Sequence, residues 1–286
     1  MENTPNNATN PLSKYFRQPS IYIKLLSNGK YWPNGTLDLP VTGEIPIYPM
    51  TAKDEITLRT PDALMSGSGV VDVIHSCCPC IKDAWKMPSI DVDAVLIAIR
   101  IASFGESMDM DTTCPYCGDK ENRHSVDLRA CLAGIVSPDY DTKVDIMDLK
   151  IKLKPQAFFG VNKTNKITYE EQKLMKVLEQ PDIDVNQKTQ QITEIMNALL
   201  AIGIDTVTDS TEYIEMFDGT KVANPQFIKE LYHNADGTLV RTVQAKLVEL
   251  GASGAIKAPA ASCGACKKEY RIPLTFDYAN FFVKGS

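Results

Sequence analysis

The pattern of apolar and polar residues divides the chain into an extended beginning, a helical stretch and a longer, mostly helical second half. Between residues 15 and 59, Ile21 and Ile23 alternate with Tyr22 and Lys24 as in a strand, and turn signals and prolines follow. The stretch has few obvious core positions. It is predicted to be either a set of edge strands or, as we favour, an extended arm that packs on another subunit.

Helical periodicity is clearest between residues 60 and 110. A first helix is predicted from Thr60, with Pro61 at its first position, and a second helix leads to a cysteine cluster near residue 78. A third helix begins near Pro88 and ends at Phe104. Since its apolar residues occupy two faces, it is expected to be buried on most sides.

The second half of the chain combines one clear strand with several helices. Leu149, Ile151 and Leu153 alternate with lysines, which predicts a half-buried strand. The remaining predicted elements are a helix over 168–179, a helix over 187–202, a hairpin turn at 217–220, a helix from Asn224-Pro225 to His233, and a helix over 238–250 closed by Gly251.

Two C-x-x-C pairs carry the strongest chemical signal. The first pair is Cys114 and Cys117, the second is Cys263 and Cys266, and a strand-like run follows each of them. Two such turns supply the four thiolates of a tetrahedral structural zinc site. The pattern predicts a zinc ribbon, in which each pair lies at a β-hairpin. Zinc is favoured over an iron–sulfur cluster, over a redox dithiol and over two unrelated turns.

The separation of the pairs is unusual, since the familiar pattern has about 15–20 residues between them and here residues 118–262 intervene. Closing a loop of roughly 100 residues costs about 4–5 kcal/mol in the chain-entropy model. A structural zinc ion contributes about 10–16 kcal/mol of apparent binding free energy. The metal can therefore close the loop, and residues 118–262 are interpreted as mostly an insertion between the halves of the ribbon.

These elements predict an α+β fold with an extended N-terminal arm, a small helical core and a split zinc-ribbon-like β domain that carries a mostly helical insertion. The predicted boundaries are 1–59 for the arm, 60–110 for the helical core, 111–150 for the first half of the ribbon and the following strand, 151–262 for the insertion, and 263–286 for the second half of the ribbon and the C-terminal strand.

Composition narrows the classes of partner. The net charge is −6 and the pI is about 5.2, whereas nucleic-acid-binding domains are usually basic. The chain begins with a polar stretch rather than a signal peptide, and its longest apolar run is too short to span a membrane. Eight cysteines in such a chain indicate metal binding or buried thiols rather than disulfides. No nucleic-acid or membrane partner is expected.

Other candidate ligands have plainer interpretations. Cys77, Cys78 and Cys80 with His75 are too closely spaced for good metal geometry, so buried thiols are favoured. Cys131 is likewise expected in the core. His124 is an alternative ligand, but four cysteines already complete a set.

Catalytic signals are weak. With three histidines in all, nothing singles out a Cys–His pair, and no phosphate loop, dinucleotide fingerprint or nucleophile elbow is present. Asp91 and Asp93 flank an apolar residue at a predicted helix start, where capping explains them. The chain is not expected to be an enzyme.

Several stretches, taken in order, resemble the baseplate hub family of T4-like contractile-tailed bacteriophages. They are LRTPDAL at 58–64, SCCP at 76–79, DVDAVLIAIRIA at 91–102, CPYC at 114–117 and FDYANFF at 276–282. The family pattern also has the paired knuckles, which supports one site made of the four cysteines. At position 80 the family is expected to have a residue other than cysteine. The resemblance therefore implies no role for Cys80.

The resemblance implies a virion or virion-assembly protein that works through protein contacts. The function predicted is a structural subunit of the hub region of a tail baseplate, within a large hetero-oligomer of hub, wedge, spike or tape-measure proteins. The alternative is a hub assembly factor or chaperone that the mature virion does not retain. The implied locations are the virion tail baseplate and, during assembly, the host bacterial cytoplasm.

Overall fold

A computed structural model describes residues 10–60, 66–178, 185–272 and 281–282. Its helices are α1 (Ala52–Thr57), α2 (Ser68–Cys77), α3 (Ser89–Phe104), α4 (Leu128–Ala133), α5 (Phe158–Leu178), α6 (Val185–Asp209), α7 (Pro225–Asn234) and α8 (Gly237–Gly254). Its strands are β1 (Ile21–Lys24), β2 (Glu44–Ile47), β3 (Ser107–Thr112), β4 (Asn122–Asp127), β5 (Val144–Ile146), β6 (Leu149–Leu153), β7 (Thr211–Glu215), β8 (Lys221–Val222), β9 (Ala260–Ser262) and β10 (Glu269–Arg271).

All strand pairs are antiparallel. The pairs β1–β2, β3–β4 and β9–β10 form separate two-stranded sheets, and β5, β6, β7 and β8 form a four-stranded sheet in that order. The mixture of helices and small sheets confirms the predicted α+β class. The first predicted helix and the C-terminal strand beyond Ile272 lie outside the described residues.

The first hydrophobic core is built around α3. Its side chains from Val92 to Ile101 are almost all buried, so the prediction of a helix enclosed on most sides is confirmed. Helix α2, both N-terminal strands and parts of the hairpins β3–β4 and β9–β10 contribute to the same core. This core therefore gathers segments from both ends of the chain.

The N-terminal segment packs against this chain's own core. Ile23 of β1 and Ile45 and Ile47 of β2 are buried in the first core, with Leu25 just beyond β1. Arg17 fixes the start of the segment, because its guanidinium donates hydrogen bonds to carbonyl oxygens of residues 49 and 76. The two strands pair with each other and pack on this chain's core, as the edge-strand interpretation predicts, and packing of the segment on another subunit stays a prediction.

Asp91 has a different role from the one predicted. Helix α3 has no side-chain cap, and the Asp91 carboxylate is fully buried against the turn that follows β1. It accepts hydrogen bonds from the backbone N–H of Ser27 at 2.8 Å, from the Ser27 hydroxyl at 2.5 Å and from Nε1 of Trp32 at 2.9 Å. The capping interpretation is wrong for Asp91, which instead anchors the N-terminal segment to α3.

Burial and hydrogen bonding act on this carboxyl group in opposite directions. Desolvation raises the pKa of Asp91, and the hydrogen bonds from Ser27 and Trp32 lower it in part. A buried carboxylate is stable only when hydrogen-bond donors surround it. The position of Asp91 in α3 therefore depends on the turn that carries Ser27, and the turn depends on Asp91.

The second hydrophobic core lies within residues 140–250. The four-stranded sheet contributes Ile151, Leu153 and Ile214, while α7 and α8 contribute Ile228, Tyr232 and other residues. The predicted strand at 149–153 and the hairpin turn at 217–220 are confirmed by β6 and by the β7–β8 connection. Asn224 caps α7 as its Asn-Pro sequence predicts, since its side chain accepts from the backbone N–H of Gln226.

Some boundaries in this region were predicted wrongly. Helix α5 begins ten residues earlier than predicted, because Phe158 is buried in the first core and stacks on Trp85 with ring centroids 5.7 Å apart. Helix α8 continues through Gly251 to Gly254. Gly251 therefore does not end the helix, and a side chain at Gly254 would place its Cβ 2.6 Å from Pro138.

Among the helices of the described ranges, none has both the length and the apolar composition that a membrane span requires.

The Asp91 anchor predicts a specific loss of stability. In Asp91→Ala, two buried donors of Ser27 and one part-buried donor of Trp32 lose their acceptor, so the free energy of unfolding should fall by about 2–4 kcal/mol. Denaturant unfolding followed by tryptophan fluorescence measures this change, since Trp32 is one of the donors. Asp72→Ala removes an exposed carboxylate from α2 and should change stability by less than about 0.5 kcal/mol. Equal stability of the two variants would contradict the anchor.

Candidate metal centre

Two β-hairpins present the four cysteines of the C-x-x-C pairs. Cys114 and Cys117 lie in the connection between β3 and β4, and Cys263 and Cys266 lie in the connection between β9 and β10. Each pair therefore lies at the end of its own hairpin, as the sequence predicts for the two halves of a zinc ribbon.

The two cysteine turns have the same hydrogen-bonding pattern. The backbone N–H of Cys114 donates to the carbonyl of Asp119 at 2.8 Å, and that of Cys263 donates to the carbonyl of Lys268 at 3.0 Å. In the first turn Gly118 supplies the left-handed residue, with φ 75°, and in the second turn Lys267 does so, with φ 61°. The two turns thus present their sulfur atoms in equivalent ways.

The sulfur atoms form a compact group. Sγ of Cys114 lies 3.7 Å from Sγ of Cys266, and Sγ of Cys117 lies 3.6 Å from Sγ of Cys263. All four sulfurs lie within 4.8 Å of one another. Four sulfurs placed tetrahedrally at about 2.3 Å from a zinc ion would be about 3.8 Å apart. The spacing therefore fits a single four-coordinate metal ion.

Backbone N–H groups also point at the sulfurs. The N–H of Tyr116 lies 3.4 Å from Sγ of Cys114, and the N–H of Cys266 lies 3.4 Å from Sγ of Cys263. Hydrogen bonds, first that from the backbone N–H of Cys266, lower the pKa of Cys263 to about 6, whereas a backbone hydrogen bond at Asp119 lowers, and desolvation and the neighbouring thiols raise, the pKa of Cys117, to about 12 in all. The group thus favours one thiolate beside neutral thiols before a metal ion binds. Since the thiolate is the form that binds metals, this arrangement favours a ligand.

Asn122 joins the two cysteine turns directly. Its buried side chain donates to the Asp119 carbonyl at 3.1 Å and accepts from the backbone N–H of Gly264 at 2.8 Å. One amide thus bridges the first turn to the second without being a ligand. No spacing or motif in the sequence distinguishes this asparagine, so the sequence analysis missed it.

Tyr270 makes a second connection between the hairpins. Its hydroxyl lies 2.5 Å from Oγ1 of Thr112 on β3 and 2.8 Å from Nε2 of His124 on β4. His124 is therefore a partner of Tyr270 and does not belong to the group of sulfur ligands. These contacts hold the second hairpin against the first behind the cysteines.

The remaining cysteines behave as core residues. Cys77 and Cys78 are fully buried, and desolvation raises the pKa of Cys77 to about 12. Cys131 is buried as well. His75 accepts a hydrogen bond at Nε2 from the backbone N–H of Ala84 at 2.9 Å. The interpretation of this cluster as buried thiols is consistent with these contacts, and Cys80 is half-buried beside it.

The four cysteines resemble a structural metal site more than a catalytic one. Four protein sulfurs would complete the coordination of one ion and leave no position open for substrate, which distinguishes structural sites from catalytic ones. Cys114 and Cys263 are each 1% exposed and belong to the first hydrophobic core. A metal ion here would lie at the edge of that core and fix the two hairpins to it.

The chain matches the family model described as T4 bacteriophage base plate protein over residues 32–283. Because the match covers most of the chain, the protein belongs to the T4 bacteriophage baseplate family. Membership indicates a structural protein of the virion tail. No curated protein and no solved structure matches the chain significantly.

Removal of one sulfur should release the metal. We expect Cys263→Ser to lose most of its bound metal and to melt at a lower temperature, because the binding free energy of a structural metal contributes directly to folding. Elemental analysis and calorimetry measure the two effects. Cys80→Ser, which lies outside the group, should keep both properties. An unchanged metal content in Cys263→Ser would refute the site.

Proposed function

We propose that this protein is a structural subunit of the hub region of a phage tail baseplate, and that a zinc-stapled fold organises its neighbours through protein contacts. The observation that carries the proposal is the family match over residues 32–283. The ordered motifs that resemble the hub family, from residue 58 to residue 282, support the hub rather than another part of the baseplate.

Zinc is the metal that we propose for the four-cysteine site. Four thiolates at tetrahedral spacing are the usual ligand set of structural zinc, and the observed sulfur separations of 3.6 and 3.7 Å fit it. Cys117 and Cys263 are 146 positions apart in the sequence. A zinc ion would therefore close a long loop and fix both ends of the inserted region in one place.

The zinc site supports a scaffolding mechanism. It would hold the hairpins β3–β4 and β9–β10 against the first core, which also contains α3 and the N-terminal strands. The inserted region contains the second core. Its orientation relative to the first core would then be fixed. Each part could present a different face to hub, wedge, spike or tape-measure proteins. The net charge of −6 supports protein partners over nucleic acid.

The zinc proposal predicts the metal content of purified protein. We expect one zinc ion per chain and a lower melting temperature after removal of the metal with a chelator, because apo structural sites lose the stability that the ion supplies. Re-addition of zinc should restore the melting temperature. Iron with sulfide and visible absorption, in place of zinc, would contradict the assignment while leaving the cysteine site itself intact.

The role in the baseplate predicts a fixed copy number. Quantitative mass spectrometry of purified mature particles, scaled to a tail protein of known copy number, should give a value compatible with baseplate symmetry. Absence from particles together with abundance in infected-cell extracts would replace the proposal with an assembly factor or chaperone. Cys263→Ser should reduce incorporation, whereas Cys80→Ser should not.

A further inference from the structure

Two neighbouring turns expose large apolar side chains at one end of the four-stranded sheet. The β5–β6 turn carries Met147, which is 69% exposed, and the β7–β8 turn carries Met216 and Phe217, which are 40% and 91% exposed. The turns lie side by side because β6 pairs with β7 in a register that sets Lys150 opposite Glu215. We call Met147, Met216 and Phe217 the sheet tip.

Backbone hydrogen bonds hold Phe217 in its exposed position. The N–H of Met216 donates to the carbonyl of Thr220, and the N–H of Gly219 donates to the carbonyl of Met216, both at 2.9 Å. The carboxylate of Asp218 accepts from the N–H of Thr220 at 2.9 Å. Phe217 is therefore presented by an ordered turn, and binding there would require little further ordering.

Met147 is also held in an unusual conformation. Its φ is 53°, in the left-handed region that residues other than glycine seldom adopt. The two-residue turn between β5 and β6 requires this conformation, and the turn fixes the position of Met147. A shallow cavity of about 310 Å³ lies between the two turns, lined in part by Met147, Leu149, Met216 and Phe217. The cavity is large enough to receive a side chain from another protein.

Carboxylates border the sheet tip. Asp148 follows Met147 and Asp218 follows Phe217, and both residues are exposed. The hydrogen bond from the backbone of Thr220 lowers the pKa of Asp218, so this group stays ionised. Three lysines lie nearby, and each faces an acidic or aromatic side chain. Lys143 pairs with Glu215 at 2.7 Å, Lys221 lies 4.8 Å from the centre of the Tyr213 ring, and the exposed Lys150 lies between Asp145 and Glu215 in the strand register.

We propose that the sheet tip is a docking surface for a neighbouring baseplate protein that offers an apolar pocket bordered by lysine or arginine. Aromatic anchors that fill such pockets carry much of the binding energy of protein interfaces, and the acidic border selects a basic partner. A second copy of this chain, with its net charge of −6, lacks that complementarity, and so does an anionic membrane. The inference rests on the proposed role as a baseplate subunit.

A competition experiment tests the importance of Phe217. Phage that lack this gene are complemented with equal amounts of wild-type protein and Phe217→Ala, and the ratio in purified particles is measured by mass spectrometry. The variant should be depleted about tenfold or more, the size expected for a central interface anchor. Phe227→Ala is the matched control, because Phe227 lies on α7 and is 60% exposed, and it should compete equally.

The acidic border is tested in the same way. Asp148→Lys reverses the charge beside Met147 and should be depleted several-fold, whereas Asp72→Lys on α2 should compete with the wild type. Both phenylalanine variants and both charge variants should melt within a few degrees of the wild type, since every substituted side chain is exposed.

Photo-crosslinking identifies the occupant. A benzophenone amino acid is placed at position 217 or, as a control, at position 227, and irradiation is carried out on infected-cell extracts and on particles. We expect position 217 to crosslink to a peptide of another baseplate protein that contains lysine or arginine. Crosslinks to a second copy of this chain, or none above the level at position 227, would overturn the inference. Absence of the wild-type chain from particles would instead count against the proposed function.

Discussion

Four sulfur atoms from two β-hairpins lie within 4.8 Å of one another, although the hairpins share no strand pairing within the described part of the chain. Two-stranded hairpins of this size are marginal by themselves, and β9 and β10 have only three residues each. Asn122 and Tyr270 add hydrogen bonds between the hairpins, but these bonds require the hairpins to be in place already. A metal ion held by both pairs would supply the free energy that brings them together.

The position of the cysteine turns affects how both hydrophobic cores are connected. Cys114 and Cys263 share the first core with Ile23 and Ile45 near the chain start. The segment that leads from β6 into α5 is attached near the start of α3, where the N–H of Ser89 donates to the carbonyl of residue 156 and the N–H of Phe158 donates to the carbonyl of residue 87, both at 2.8 Å. Residues 87 and 158 belong to the first core. The inserted region thus has a backbone attachment to the first core in addition to its two ends at the cysteine turns.

Local patterns in the sequence predict the parts of the fold that local physics determines. The helix α3, the alternating strand β6 and the cap of α7 at Asn224 follow from periodicity and capping rules. The cysteine turns are equally visible, because C-x-x-C spacing is itself the geometry of a chelating turn. The grouping of the four cysteines is accordingly the part of the molecule that the sequence predicts best.

Contacts between distant residues have no such local signal. Ser27 and Asp91 are 64 positions apart, and an aspartate in the first turn of a helix looks like a dipole partner whether or not it is buried. The four-residue strands β1 and β2 alternate as edge strands do, and a short alternating run does not reveal which surface covers its apolar side. The sequence therefore does not reveal that the apolar side of β1 and β2 packs in the same core as α3.

The buried side of the N-terminal strands is not available to partners, although Tyr15, Phe16 and Tyr22 of the same segment are exposed. An arm whose apolar side chains fill its own core cannot also use them on a neighbour, so an interaction protein must expose apolar groups elsewhere. The sheet tip meets this requirement, and its acidic border limits the self-association that an exposed phenylalanine would otherwise promote. A metal ion at the four cysteines would fix the two hairpins, and the hydrogen-bonded turn at the sheet tip presents Phe217, so both features would serve the proposed role in a baseplate.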